Sequence, residues 1–195
     1  MRAAETPGGL ELFNGKDDTG WTYYMRSNSA PENTWRITNG IIHCTGRPNG
    51  YMRTVESYSN YLCTVEWRFV KVARGADNTG VLVDMKLPDK VWPRCVECQG
   101  MHDHQGDFWL WGGVAGNEPA NLKKNGIKML QPSAEKPVGE WNTYQTVCRS
   151  NTVEIIVNGT SMSQLTGANV AAGFIGLQSE GAEMEIRKVR LEPLR

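Results

Sequence analysis

The sequence predicts an all-β fold, a jelly-roll β-sandwich of two antiparallel sheets, and three observations carry that expectation. Helical periodicity is almost absent from the 195 residues. Short runs alternating apolar and polar residues recur instead, separated by Gly, Asn, Asp and Pro, which is the pattern of a sandwich or barrel. The chain also holds 21 Gly and 7 Trp, and large indole rings suit the space between two sheets. No linker separates two cores and no internal repeat divides the chain, so a single domain over residues 1–195 is expected.

The elements follow in order. Tyr61–Val70 sets Cys63, Val65, Trp67 and Phe69 on one face and Leu62, Thr64, Glu66 and Arg68 on the other. Because strand side chains alternate, the first set reads as core and the second as a polar sheet face. Gly80–Met85 offers Val81, Val83 and Met85 inward. Arg94–Gln99 divides into Val96 and Cys98 on one side and Cys95, Glu97 and Gln99 on the other. Thr143–Arg149 and Thr152–Val157 are joined by a two-residue hairpin turn at Ser150-Asn151, and Asn158-Gly159 marks another turn. Phe174–Ser179 turns Ile175 and Leu177 inward, which leaves Gln178 and Glu180 to the polar face, although Glu180-Gly181 also reads as a plain turn. Ala182–Leu191 is inward at Met184 and Ile186 and then at Val189 and Leu191, a phase slip that predicts a bulge near Arg187-Lys188. Gly112–Gly139 lacks alternation, and a loop of that length in a compact domain is functional or mobile.

Composition narrows the partners. Lys+Arg and Asp+Glu are both 21, so no overall field attracts nucleic acid or an anionic membrane. No apolar run approaches the ~20 residues of a membrane span, and Met1–Pro7 carries no charged, then apolar, then small-residue leader. Cysteines number five. Cys95-x-x-Cys98 has the spacing of half a zinc site, but no second pair follows, and a closed site needs four ligands; small core thiols are the expected reading. Most of the tryptophans are expected in the core.

The densest polar cluster runs from Trp92 to Trp109. Glu97 and Gln99 are two apart on a strand, so both leave the same face, and a carboxylate beside an amide suits a hydroxyl-rich ligand. Should Glu66 and Arg68 occupy that same face, the floor holds two carboxylates, an amide and a guanidinium; the alternative is a solvated face with surface ion pairs. His102 and His104 flank Asp103, with Asp107 following, and such a pair serves a metal, proton transfer or neither. Asn78-Thr-Gly80 reads first as a turn, with a ligand contact from Asn78 as the second reading. Serine-hydrolase and nucleotide-binding motifs are absent from the sequence.

Several segments together resemble the 3-keto-disaccharide hydrolase domain family. They are Leu12-Phe-Asn-Gly-Lys16 with Gly20-Trp21, Trp35-Arg-Ile-Thr-Asn-Gly-Ile-Ile42, Gly50-Tyr-Met-Arg-Thr54 and Glu66-Trp-Arg68. Asn78-Thr-Gly-Val81, Glu97-Cys-Gln99 and Gly106-Asp-Phe108 follow, then Gly139-Glu-Trp-Asn142, Val157-Asn-Gly159 and Gly176-Leu-Gln-Ser-Glu-Gly181. The resemblance implies a concanavalin A-like sandwich whose concave sheet bears both the Glu-x-Gln and Glu-Trp-Arg strands, and a protein exported to the periplasm or secreted. Two departures are Thr79, where the family has Ser, and Gly100, where an Ile commonly follows the Gln.

The reaction so implied cleaves a glycoside already oxidised at C3 of its sugar. The ketone acidifies the C2 hydrogen, a base removes it, the C1 substituent leaves, and water adds afterwards. In this reading Glu97 is the base, Arg68 or Gln99 contacts the enolate oxygen, and His102 delivers a proton, with Asn78, Asp107, Trp109 and Glu180 as further substrate contacts. A two-carboxylate glycosidase using Glu66 and Glu97 is a variant. A non-catalytic carbohydrate-binding module, with Trp109 or Trp111 stacked on a sugar, is the second class, and a protein-interaction sandwich the third. No cofactor is expected; a structural calcium ion has candidate ligands at Asp17-Asp18 and at Asp103 with Asp107.

Overall fold

A computed structural model describes residues 8–72, 77–123 and 125–194, so Met1–Pro7 lies outside the described residues. Chain order runs β1 (Leu10–Glu11), β2 (Trp21–Met25), β3 (Trp35–Thr38), β4 (Ile41–Cys44) and β5 (Gly50–Thr54). The long β6 (Tyr61–Lys71) precedes β7 (Gly80–Lys86), β8 (Arg94–Gln99), β9 (Phe108–Trp111) and the short β10 (Gly126–Ile127). Last come β11 (Asn142–Arg149), β12 (Thr152–Val157), β13 (Thr160–Leu165), β14 (Phe174–Ser179) and β15 (Glu183–Pro193).

These strands form two antiparallel sheets. One has the order β13-β12-β11-β6-β15-β4-β3, with β1 paired to the end of β15; the other has the order β10-β9-β8-β7-β14-β5-β2. They are called here the β6 sheet and the β8 sheet. Between them, Cys63, Val65 and Trp67 of the first meet Val81, Val83, Val96, Cys98, Ile175 and Leu177 of the second. Each such aliphatic side chain contributes roughly 1.5–3 kcal/mol by leaving water. Trp67, 1% exposed, packs its ring 4.6 Å from that of Tyr144.

The alternation read from the sequence survives at most positions. The expected bulge in β15 falls between Ile186 and Lys188, and Met184, Ile186, Val189 and Leu191 all reach the core. The turn after β12 has positive φ at both Asn158 and Gly159, the geometry that favours this dipeptide in a hairpin. Met85 corrects the reading of β7. A register shift between Val83 and Lys86, with Asp84 at φ 53°, advances the phase and turns Met85 to the outer face beside Tyr51, Leu82 and Cys95.

Tryptophan placement also departs from expectation. Trp21, Trp35 and Trp67 are core residues, whereas Trp92 is 41% exposed and Trp109, Trp111 and Trp141 are half-buried. Three of these four line the cleft described below, so their exposure has a use. All five cysteines are buried and free. Cys95 faces outward and Cys98 inward, so the pair cannot converge on one ion; burial pushes the Cys63 thiol up to about 12. Among the described residues, no helix is long and apolar enough to cross a membrane.

Candidate active site

The outer face of the β8 sheet carries a cleft of about 650 Å³. Its floor is built around Gly80. Gly80 pairs with Gln99, and Leu82 pairs with Glu97, so β8 presents Glu97 and Gln99 side by side on the outer face, as expected from their spacing. A Cβ at position 80 would lie 3.3 Å from Glu97 Cγ and 3.4 Å from Gln178 Oε1. The absent side chain therefore opens the space in which Glu97 of β8 and Gln178 of β14 meet over the strand between them.

Glu97 is only 2% exposed. Its Oε2 accepts the Trp111 indole N–H at 2.5 Å. Burial, and then the nearby Glu180 carboxylate, raise its pKa to about 8, against the opposing hydrogen bonds from Trp111 and Gln178. Glu97 thus holds its proton at neutral pH. Glu180 is raised by burial and restrained by a hydrogen bond from Trp92, and it accepts the Asn78 amide at 3.0 Å. The Glu180 carboxylate thus helps Glu97 to keep its proton.

Gln99 is oriented by its own backbone. Its Oε1 accepts the N–H groups of Gly100 at 3.1 Å and Met101 at 3.3 Å, which leaves the side-chain NH₂ to donate into the cleft. Gly100 itself passes over the core: a Cβ there would sit 2.6 Å from the Trp67 ring, so this chain has no room for the larger residue common at that position.

The walls are aromatic. Trp109 and Trp111 leave β9 on the same face, with ring centroids 6.3 Å apart and planes within 18°. Trp92, from the β7–β8 connection, stands 5.8 Å from Trp111. Met101, Lys123 and Asn125 complete the lining. Trp92, Met101, Lys123 and Asn125 were not expected here, because loops carry no period; Trp111 was expected, as an alternative to Trp109, to stack on a sugar, and both line the cleft.

The histidines divide differently from expectation. His102, assigned proton delivery, is absent from the cleft lining. Its Nδ1 pairs with Glu135 and its ring stands edge-on to Phe69 at 5.9 Å. His104 instead lines a side lobe of about 140 Å³ that shares Gln99, Met101, Trp109 and Lys123 with the cleft. Its Nδ1 lies 3.1 Å from Oδ2 of the buried Asp107, whose Oδ1 accepts the Met129 N–H at 2.8 Å.

Glu66 and Arg68 are corrected outright as members of this site. They lie on the outer face of the β6 sheet, with the whole core between them and Glu97. Glu66 accepts Arg187 Nε at 2.7 Å. Arg68 donates to Glu185 at 2.7 Å and its guanidinium covers the Trp141 ring at 4.7 Å. The solvated face with ion pairs is what the structure holds there.

For a cation, His102, Asp103 and Glu135 place ligand atoms within 4.8 Å of one another. Glu135 Oε2 also accepts Gln105 Nε2 at 2.7 Å and its Oε1 accepts the Asp103 N–H at 3.1 Å, so each oxygen is already engaged once within the protein. Asp107, expected as a substrate contact, lines the side lobe with His104 and is buried there against the Met129 N–H, whereas Asp103 is 79% exposed. Asp17 Oδ1 is held locally by Asn14 and Thr19 and Asp18 by Tyr23.

Residues 9–192 match the family model described as the 3-keto-alpha-glucoside-1,2-lyase-like domain. No match was found among curated proteins. Among solved structures, two candidate glycosyl hydrolases from Parabacteroides distasonis are similar. One superposes with a TM-score of 0.70 at 22% identity over 96% of this chain and 94% of that one. The other does so with 0.69 at 20% identity over 95% and 99%. A carbohydrate-binding module from Bacillus subtilis gives 0.61 at 12% identity over 87% and 93%. At these identities the likeness is one of fold, the jelly-roll sandwich.

Proposed function

Because the chain belongs to the 3-keto-alpha-glucoside-1,2-lyase-like domain family, we propose that its cleft cleaves a glycoside oxidised at C3 of the sugar, with Glu97 and Glu180 moving the protons. One observation carries this reading: a carboxyl 2% exposed, held protonated near neutral pH beside a second carboxylate. Burying an ionisable group without a partner cation is costly, and such perturbed pairs mark proton-transfer sites.

The step balances as follows. The C3 ketone acidifies the C2 hydrogen; Glu180 takes that proton, and the C2–H electron pair becomes the C1=C2 double bond. The C1–O bond breaks, and its oxygen leaves with the proton of Glu97. The Gln99 NH₂ faces the oxygen on which charge develops. Water then adds across the double bond: Glu97, now a carboxylate, takes the water proton, and Glu180 returns its own to C2. Glu97 was expected as the base from sequence; a carboxyl that keeps its proton to about pH 8 is better fitted as the acid.

Glu97→Gln keeps the shape and removes the proton. Turnover of a 3-keto-glucoside is expected to fall about 10²–10⁴-fold with KM little changed, and the unoxidised glucoside should be inert with either protein. Unchanged turnover in E97Q would remove Glu97 from the chemistry. The Trp109–Trp111 wall favours one second reading, a sugar-binding module: tight binding of sugars with no product from any 3-keto-glycoside would select it.

A further inference from the structure

We infer that the leaving group this cleft accommodates is a flat apolar aglycone rather than a second hexose, laid along the indole wall Trp92–Trp111–Trp109. The inference rests on the glycoside-cleaving reading above and adds the substrate class. Polar and apolar groups are segregated in the cleft. Glu97, Gln99, Asn78 and Glu180 crowd the floor around Gly80 and suffice for one sugar ring. Beyond them runs a wall of three indoles with centroid steps of 5.8 and 6.3 Å and planes within 32° and 18° of their neighbours.

That wall offers little to hydroxyl groups. The Trp111 N–H is held by Glu97 and the Trp92 indole is directed to Glu180, so those two indoles turn carbon faces and edges to the rest of the cleft. On the rim, Asn125 gives one N–H of its amide to the Leu110 carbonyl at 2.9 Å. Met101, a soft apolar side chain, and Lys123, an exposed cation at the rim, complete the lining. Along the indoles a second hexose would surrender water from its hydroxyls and regain hydrogen bonds only at the rim, from Lys123 and Asn125, which is unfavourable, whereas an aromatic ring has none to lose and stacks on indole.

The connection that carries one end of the wall is tied to the sheet. Trp92 sits on a connection anchored by Asp89, which accepts Arg53 Nε and Nη2 and the Tyr51 hydroxyl, all at 2.8 Å. A preformed platform avoids the ordering cost of binding.

The test compares the 3-keto forms of benzyl glucoside and of a disaccharide linked through a primary hydroxyl, so that both leaving groups are primary alcohols. A kcat/KM at least tenfold higher for the benzyl compound, arising in KM, is expected. Trp109→Ala, which touches neither carboxyl's hydrogen bond, should collapse that ratio toward one, and because the ratio is internal, a general loss of activity cancels. Equal or better use of the disaccharide overturns the aglycone assignment while leaving the glycoside-cleaving reading intact. If neither compound turns over, that reading fails, and the aglycone assignment is judged by tryptophan fluorescence titration with unoxidised benzyl glucoside. Binding at least tenfold tighter than the unoxidised disaccharide sustains it, and weaker or equal binding ends it.

Discussion

The indole N–H of Trp111 donates to Glu97 Oε2 at 2.5 Å, yet the carboxyl stays protonated to about pH 8. That hydrogen bond favours the carboxylate; burial and the facing Glu180 oppose it, and they outweigh it. If Glu97 is the acid, kcat/KM for a 3-keto-glucoside falls above about pH 8 as the proton is lost. Trp111→Phe removes the donor, destabilises the carboxylate and moves this alkaline limb to higher pH. A limb that stays in place or moves down in W111F would take Glu97 out of the acid role.

Gly80 sets the spacing of the floor. A Cβ there would approach Cys98 O to 3.0 Å and Glu97 Cγ to 3.3 Å. Gly80→Ala should cost about 1–3 kcal/mol by overpacking, measured by thermal denaturation. Its larger effect falls on kcat rather than KM, since Glu97 shifts while the indole wall stays. A folded G80A enzyme with the wild-type kcat would mean that the carboxyl tolerates displacement.

The sequence carries inner and outer parity because a strand has period two. Cys63, Val65 and Trp67 against Glu66 and Arg68, or Val96 and Cys98 against Glu97 and Gln99, were therefore legible, and the bulge at Arg187 announced itself as a slip of phase. Parity does not say which sheet a strand joins. That is settled by pairing across distant segments, Tyr61–Trp67 with Asn142–Cys148 and Glu183–Pro193 with β6, so Glu66 and Arg68 were outward as expected but on the opposite side of the core. His102 and His104 sit in a turn, where no period exists to decide which of the two reaches the cleft.

This relocation has a direct consequence. Glu66→Gln and Arg68→Ala break exposed or half-exposed ion pairs with Arg187 and Glu185, each worth about 0–1 kcal/mol. Both variants should keep kcat/KM within about twofold of wild type, with only a small change in melting temperature. A loss of two orders of magnitude in either would return the β6 face to the mechanism.

Asp84 supplies the sharpest prediction on stability. It is 1% exposed, its Oδ1 has no hydrogen-bond partner, and burial raises its pKa from 3.8 to about 6. The raised value means that the folded protein binds this proton more tightly than the unfolded chain. Between about pH 4 and 6 the folded state holds a proton the unfolded state has lost, so stability falls as pH rises through that window. A rise from 3.8 to about 6, at about 1.4 kcal/mol per tenfold change in proton affinity, makes the total about 3 kcal/mol. Asp84→Asn has nearly the same shape, carries no charge and tolerates the φ of 53° found here. It should raise the melting temperature at pH 8 and leave it nearly unchanged at pH 4. An equal shift at both pH values would trace the effect to packing rather than to the buried charge, and destabilisation at pH 8 would mean that the carboxylate is satisfied in the folded protein.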